Sequence, residues 1–170
     1  MKVLLAIDQS VCSEAAIATI LNHVFHNHME VLIFHVIDSC QLTPVSLSFA
    51  EGTDSASQYA SVRHGWHTRA NALVTSTAER LQAAGISAST LVREGDPRTL
   101  IVEQARQWQA DMIVVGGHGW KGLDRFLMGS VSGSVVRHAP CSTLVVRPTS
   151  RQKPVRDIQG LSTELYEARN

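Results

Sequence analysis

Two glycine clusters stand at either end of the stretch "VVGGHGWKGLDRFLMGS", which runs from Val114 to Ser130. Gly116 and Gly119 follow an apolar run, nine residues intervene, and Gly129 and Ser130 then precede a helical pattern. Glycine has no Cβ atom, so the backbone at these positions can approach a ligand closely. The free N–H groups at the start of the following helix favour an anion. The spacing predicts a loop that closes on a phosphate chain from two sides.

Two better-known phosphate motifs do not account for this stretch. A Walker A loop requires Gly-Lys-Ser/Thr, which occurs nowhere in the chain. Gly117, Gly119 and Gly122 match the dinucleotide fingerprint after a strand. That fingerprint also needs an acidic residue about 20 positions further on to bind the ribose. No Asp or Glu occurs between Arg125 and Arg156, so this match is set aside.

Apolar runs that alternate with helical patterns would position the loop. Runs such as "VLLAI" have the two-sided apolar character of strands inside a parallel sheet. Asp96 followed by Pro97 predicts a helix start, because Asp is a good N-cap and Pro suits the first helical position. The predicted strands span residues 3–7, 31–37, 86–92, 111–115 and 143–147, and the predicted helices span about 13–26, 58–84, 97–109 and 131–138.

This β-α alternation predicts a parallel sheet with right-handed crossovers and helices on both faces. Ligands of such sheets bind outside the carboxyl ends of the strands, where the winding reverses. Asp8 and Gly116 each directly follow a predicted strand. Both are therefore expected at that end of the sheet.

Composition limits the classes of function. With 15 basic and 15 acidic residues, the 170-residue chain has no net charge to attract nucleic acid or an anionic membrane. Its three cysteines include no C-x-x-C pair, which disfavours a disulfide framework or a zinc knuckle. The start "MKVLLAIDQS" is too short for a signal peptide or a membrane span. The expectation is a cytoplasmic protein that binds neither nucleic acid nor membrane.

Four stretches together resemble the universal stress proteins, in their nucleotide-binding branch. They are "VLLAIDQSVCSEAA", "VLIFHVID", "GDPRTLIVEQARQWQADMIVVGGHG" and "GSVSGSVVRHAPCSTLVVRP", and the resemblance runs from Lys2 to about Pro148. It implies a Rossmann-like three-layer α/β fold with a five-stranded parallel sheet in the order 3-2-1-4-5. The expected domains are a nucleotide-binding domain over residues 1–148 and a C-terminal extension over 149–170.

The resemblance also implies roles for individual positions. Asp8 would contact the ribose, or a divalent cation such as Mg or Mn that is shared with the phosphates. The backbone of Val36 would contact the adenine edge. Ala6 and Ile7 would line the adenine pocket, Gly116, Gly119, Gly129, Ser130 and Val131 would bind ribose and phosphates, and Val115, His118 and Ser132 occupy flanking positions.

The function implied is ATP binding by a regulatory module of the stress response, with ADP and AMP open as ligands. No catalytic group is assigned. A slow ATPase, an enzyme that phosphorylates itself on Ser130 or Ser132, and a nucleotide-free scaffold stay open as alternatives. Simpler explanations also stay open: Asp8 could cap the first helix, and the first glycines could form an ordinary turn. The pair His64 and His67 shares a helix face without an acidic or Cys neighbour in sequence, which does not predict a metal site.

Two expectations concern assembly. In the order 3-2-1-4-5 the last strand, from Thr143 to Arg147, lies at an edge, and an apolar edge needs cover. We expect a two-fold homodimer through that strand. Ile158, Leu161 and Leu165 form an apolar stripe in the C-terminal extension. This stripe predicts either a short docking helix or a frayed tail.

Overall fold

The computed structural model describes residues 1–22, 29–38, 55–117 and 128–148, without the side chains of residues 55–59. Strands and helices alternate along these ranges. They are β1 Lys2–Ala6, α1 Val11–Asn22, β2 Glu30–Asp38, α2 Ser55–Ala83, β3 Ser87–Gly95, α3 Pro97–Trp108, β4 Met112–Gly116, α4 Ser130–His138 and β5 Ser142–Val146.

The strands form one sheet in the order β3-β2-β1-β4-β5, and every neighbouring pair is parallel. This confirms the expected fold class and strand order. The chain winds outward from β1 to β3 and then crosses back to β4, on the other side of β1. The winding therefore reverses between β1 and β4, and that is where a ligand of an open α/β sheet is expected.

Each face of the sheet carries its own apolar core. Along β1, Val3 and Leu5 pack on the face that α1 and α2 cover, together with Ile17 and Leu81. Leu4 and Ala6 point the other way, into a cluster that includes residues of α3 and α4, among them Ile101 and Val135. Because β1 is buried on both faces, its continuous apolar sequence is what a central parallel strand requires.

Several local predictions are confirmed and others are corrected in length. Asp96 is the N-cap of α3, and its carboxylate accepts a hydrogen bond from the backbone N–H of Arg98. Strand β3 extends three residues beyond the predicted end at Val92, because its pairing with β2 continues as far as Asp38 and Gly95. Helix α2 begins at Ser55, before the predicted start.

Some predictions fall outside the described residues. They concern the end of the first helix beyond Asn22, most of the loop after Asp38, the residues between Gly117 and Met128, and the C-terminal extension. Over the ranges that the structure describes, no helix is long and apolar enough to cross a bilayer.

Candidate functional site

Asp8 organises the turn between β1 and α1. Its Oδ1 accepts hydrogen bonds from the backbone N–H of Ser10 at 3.0 Å and from the Ser13 hydroxyl at 2.6 Å. Ser10 in turn caps α1, because its Oγ accepts the N–H of Ser13. The cap of α1 is thus Ser10, and Asp8 holds the turn that precedes the helix rather than capping it. The second oxygen of Asp8, Oδ2, makes no hydrogen bond within the described ranges, so one acceptor remains at the carboxyl end of β1.

The two ends of the glycine-rich stretch meet in space. The N–H of Gly117 donates to the carbonyl of Val146 at 2.7 Å, and the N–H of Gly129 donates to the carbonyl of Gly117 at 2.8 Å. The buried Ser132 hydroxyl lies 2.9 Å from the Gly117 carbonyl and 3.1 Å from that of Gly129, so its proton is shared between them. These bonds join the end of β4 to the start of α4.

The joined ends present a row of backbone donors. Gly129 is the N-cap of α4 and provides no side-chain cap, and the first helical bond runs from Gly133 N–H to Gly129 O at 2.8 Å. The N–H groups of Ser130, Val131 and Ser132 find no acceptor among the described residues. The Ser130 side chain is exposed beside them. Free amides and the positive end of the helix dipole can together bind an anion.

Gly116 has a packing role that the sequence analysis did not predict, beside the ligand contact expected there. A Cβ atom at Gly116 would lie 2.7 Å from the Cβ of Cys12 and 2.9 Å from its carbonyl carbon. Such distances are far inside van der Waals contact, so the absence of a side chain lets α1 pack against the end of β4. The glycine therefore positions α1, whose first turn follows Asp8, at the point where the winding reverses.

The register of the sheet brings the other predicted positions to the same end. Ala6 pairs with Val115, and Ala6 also pairs with Phe34 of β2, two residues before Val36. Val36 packs at the margin of the core between the sheet and α3 and α4. The predicted positions that the structure describes all cluster at the carboxyl ends of the strands: Ala6, Ile7, Asp8, Val36, Val115, Gly116, Gly129, Ser130, Val131 and Ser132. His118 and Gly119 lie outside the described residues.

Two residues at this end were missed by the sequence analysis. The Nδ1 atom of His35 lies 2.8 Å from the carbonyl oxygen of Ile7, to which it donates as the Nδ1–H tautomer. The side chain of Arg147 lies across Gly117. A histidine inside an otherwise apolar strand was the available signal for the first. The second has no sequence signal, because it depends on the pairing of β4 with β5.

A separate charged cluster ties α2 to β3. Glu94 receives both Nε and Nη2 of Arg63, at 2.8 and 2.9 Å, and also contacts His67 Nε2. The Arg63 hydrogen bond, followed by the His67 one, holds the pKa of Glu94 below its usual value. His64 and His67 line an adjoining surface cavity of about 320 Å³. Within the part of the chain that the structure describes, no three His, Cys, Asp or Glu residues are grouped to hold a metal ion.

Comparison with known proteins identifies relatives along nearly the whole described chain. The family model for the universal stress protein family matches residues 1–147. A putative universal stress protein of Staphylococcus aureus strain USA300 is 31% identical over 147 residues, which cover 85% of this chain and 82% of that protein.

Solved structures share the fold at lower identity. The hypothetical protein MJ0577 superposes with a TM-score of 0.76 at 23% identity, over 88% of this chain and 96% of its own. A universal stress family protein from Arabidopsis thaliana, solved with AMP bound, gives 0.64 at 17% identity over 92% and 97% of the two chains. A universal stress protein in complex with cAMP gives 0.55 at 23% identity over 86% and 96%.

Proposed function

Because the chain belongs to the universal stress protein family, we propose that it is an ATP-binding regulatory module of the cytoplasmic stress response. The observation that carries the proposal is the joint between Gly117 and Gly129, which leaves three α4 amides without acceptors in the described chain beside the point where the winding reverses. The solved relatives that hold AMP and cAMP support an adenine nucleotide as the ligand class.

Each part of the nucleotide has proposed contacts. The α4 amides and the Ser130 hydroxyl bind phosphate oxygens, because charge-assisted hydrogen bonds from a helix start suit an anion. Asp8 binds the ribose through Oδ2, or shares a divalent cation such as Mg or Mn with the phosphates. Ala6, Ile7 and the backbone of Val36 form the adenine pocket, Gly116 and Gly119 complete the ribose and phosphate contacts, and Val115, His118 and Ser132 flank them.

The hydroxyl of Ser132 supports the site rather than touching the nucleotide. Ser132 is 2% exposed, and its one hydroxyl proton is shared between two main-chain carbonyls. The proposed ATP therefore meets the Ser132 backbone and not its hydroxyl. If the protein phosphorylates itself, the acceptor is the exposed Ser130. Slow hydrolysis of ATP is a separate alternative, and a phosphate release assay with Asp8→Ala as control tests it.

A second part of the proposal is a homodimer through β5. Strand β5 is at the edge of the sheet, so one row of its N–H and C=O groups has no neighbouring strand in the described chain. A second copy paired antiparallel along β5 would supply the missing partners.

The Ser130 contact provides the test. Ser130→Ala is expected to weaken ATP binding by about 1–3 kcal/mol, the range for a hydrogen bond to a charged group. Binding should persist, because the backbone donors remain. Ser134→Ala, in the same helix but beyond its first turn, is the matched control and should bind ATP like the wild type. Calorimetric titrations that give equal affinities for all three proteins would contradict the phosphate contact.

A further inference from the structure

We propose that Arg147 is the residue that makes the site discriminate ATP from AMP, by contacting the outer phosphates of the nucleotide. This inference rests on the proposed nucleotide function and extends it to phosphate-chain length. Arg147 lies in one of the stretches that resemble the family, but neither that resemblance nor the glycine spacing gives it a role. The assignment comes from the position of its side chain.

Arg147 occupies space that only glycine leaves open. A Cβ atom at Gly117 would lie 2.9 Å from the Cγ of Arg147 and 3.4 Å from its Nε. The side chain therefore crosses directly over the Gly117 backbone. The Gly117 carbonyl accepts a hydrogen bond from the N–H of Gly129. The Arg147 side chain therefore passes over the joint between β4 and α4.

Strand alternation places Arg147 on the same face as the phosphate-binding amides. Val146 is buried in the core beneath α1 and α2. The next residue of an extended chain points to the opposite face. That face is covered by α4, whose Val135 is buried in the second core. Arg147, Gly117 and the start of α4 thus share one face and one end of the sheet.

The chemistry of the side chain suits an outer phosphate. A guanidinium is permanently charged and binds phosphate oxygens through two parallel N–H groups. Arg147 is exposed, whereas the joint beneath it is buried at Gly117 and Ser132. The α4 amides are therefore assigned to the phosphate nearer the ribose, and the long exposed side chain to the phosphates further out. Adenosine and AMP lack those outer phosphates.

Titration of the full-length protein with adenosine, AMP, ADP and ATP tests the assignment. Arg147→Gln should weaken ATP binding about 10- to 100-fold, the equivalent of losing charge-assisted hydrogen bonds. Because AMP and adenosine lack the outer phosphates, their affinities should change less than about threefold in Arg147→Gln. Arg147→Lys keeps the positive charge but lacks the two parallel N–H groups, so its ATP affinity should lie between those of the wild type and Arg147→Gln. Arg137→Gln, exposed in the last turn of α4, is the control and should match the wild type.

A second variant perturbs Arg147 without removing its charge. Gly117→Ala would push the arginine side chain away from the joint, since its Cγ would lie at 2.9 Å from the new methyl carbon. It should therefore lower the preference for ATP over AMP in the same direction as Arg147→Gln. Thermal melting of each variant checks that the fold is retained, and Arg147→Lys carries the test if Arg147→Gln does not fold.

The outcomes separate this inference from the function on which it rests. A wild-type protein that binds none of the four ligands overturns both. A wild type that binds ATP, with Arg147→Gln binding it equally well, overturns only the role of Arg147. A uniform loss for all ligands, adenosine included, would show that Arg147 merely supports the loop, and would also overturn the inference.

Discussion

Removing the Ser132 hydroxyl should loosen the joint between β4 and α4 by a predictable amount. The hydroxyl is buried and bonded to the carbonyls of Gly117 and Gly129. Neither carbonyl would be left without a donor in Ser132→Ala, because each also accepts a backbone N–H, from Gly129 and Gly133 respectively. The expected loss is therefore that of one net hydrogen bond, about 1 kcal/mol of the free energy of unfolding.

Urea and thermal unfolding measure this loss. For a chain of this size about 1 kcal/mol lowers the melting temperature by roughly 2–4 °C. Ser130→Ala is the matched control, since the Ser130 side chain is exposed in the same helix and should not affect stability. The reasoning is refuted if Ser132→Ala is as stable as the wild type, or if Ser130→Ala loses as much.

Three further predictions test other parts of the account. Gly119→Val should abolish nucleotide binding while circular dichroism shows an intact fold, because a β-branched side chain would fill the space for the phosphates; retained ATP affinity in the folded variant would contradict this. Val145→Lys, on the edge strand, should convert dimers into monomers in sedimentation; a wild type that is monomeric at micromolar concentration would rule out the interface. Glu94→Gln should reduce the loss of stability on acidification. The pKa of Glu94 in the folded protein lies below its ordinary value of 4.5, so the ionised carboxylate stabilises the fold at neutral pH. This contribution is lost as the pH falls through 4.5 and below. Glu79 is exposed on α2 without an ion pair among the described residues, so Glu79→Gln is the control and its stability should depend on pH as in the wild type. The same dependence of stability on pH in the wild type and both variants would contradict the role of Glu94.

Much of the fold follows from local sequence signals. The two-sided apolar runs locate the strands, and Asp96-Pro97 fixes the start of α3, because these signals act within a few residues. Strand order is different. Alternation of strands and helices is compatible with several orders of a parallel sheet, and the order 3-2-1-4-5 came from the family resemblance rather than from periodicity.

The site was predictable only where its residues lie close in sequence. The glycine spacing predicts a phosphate loop, but it does not show the packing reason for Gly116. That reason is contact with Cys12, more than a hundred residues earlier in the chain. Likewise, Arg147 reaches Gly117 only because β5 pairs with β4. Long-range packing of this kind leaves no pattern in the sequence.

The end of β3 shows the same limit. Glu94 was not singled out, and its pKa is lowered by residues about 30 positions earlier, on α2. Helical spacing placed His64 and His67 on one face, but it could not show that the Glu94 carboxylate of β3 contacts Nε2 of His67. The placement of α2 against the sheet decides this, and it is set by the tertiary core.

The central claim is that the chain holds an adenine nucleotide at the carboxyl ends of β1 and β4. Mass analysis of the nucleotide released from protein purified without added ligand tests it most directly. The account predicts ATP from the wild type and little or none from Gly119→Val purified in parallel. Release of no adenine nucleotide from the wild type, together with no heat of binding when ATP is titrated into it, would contradict the claim.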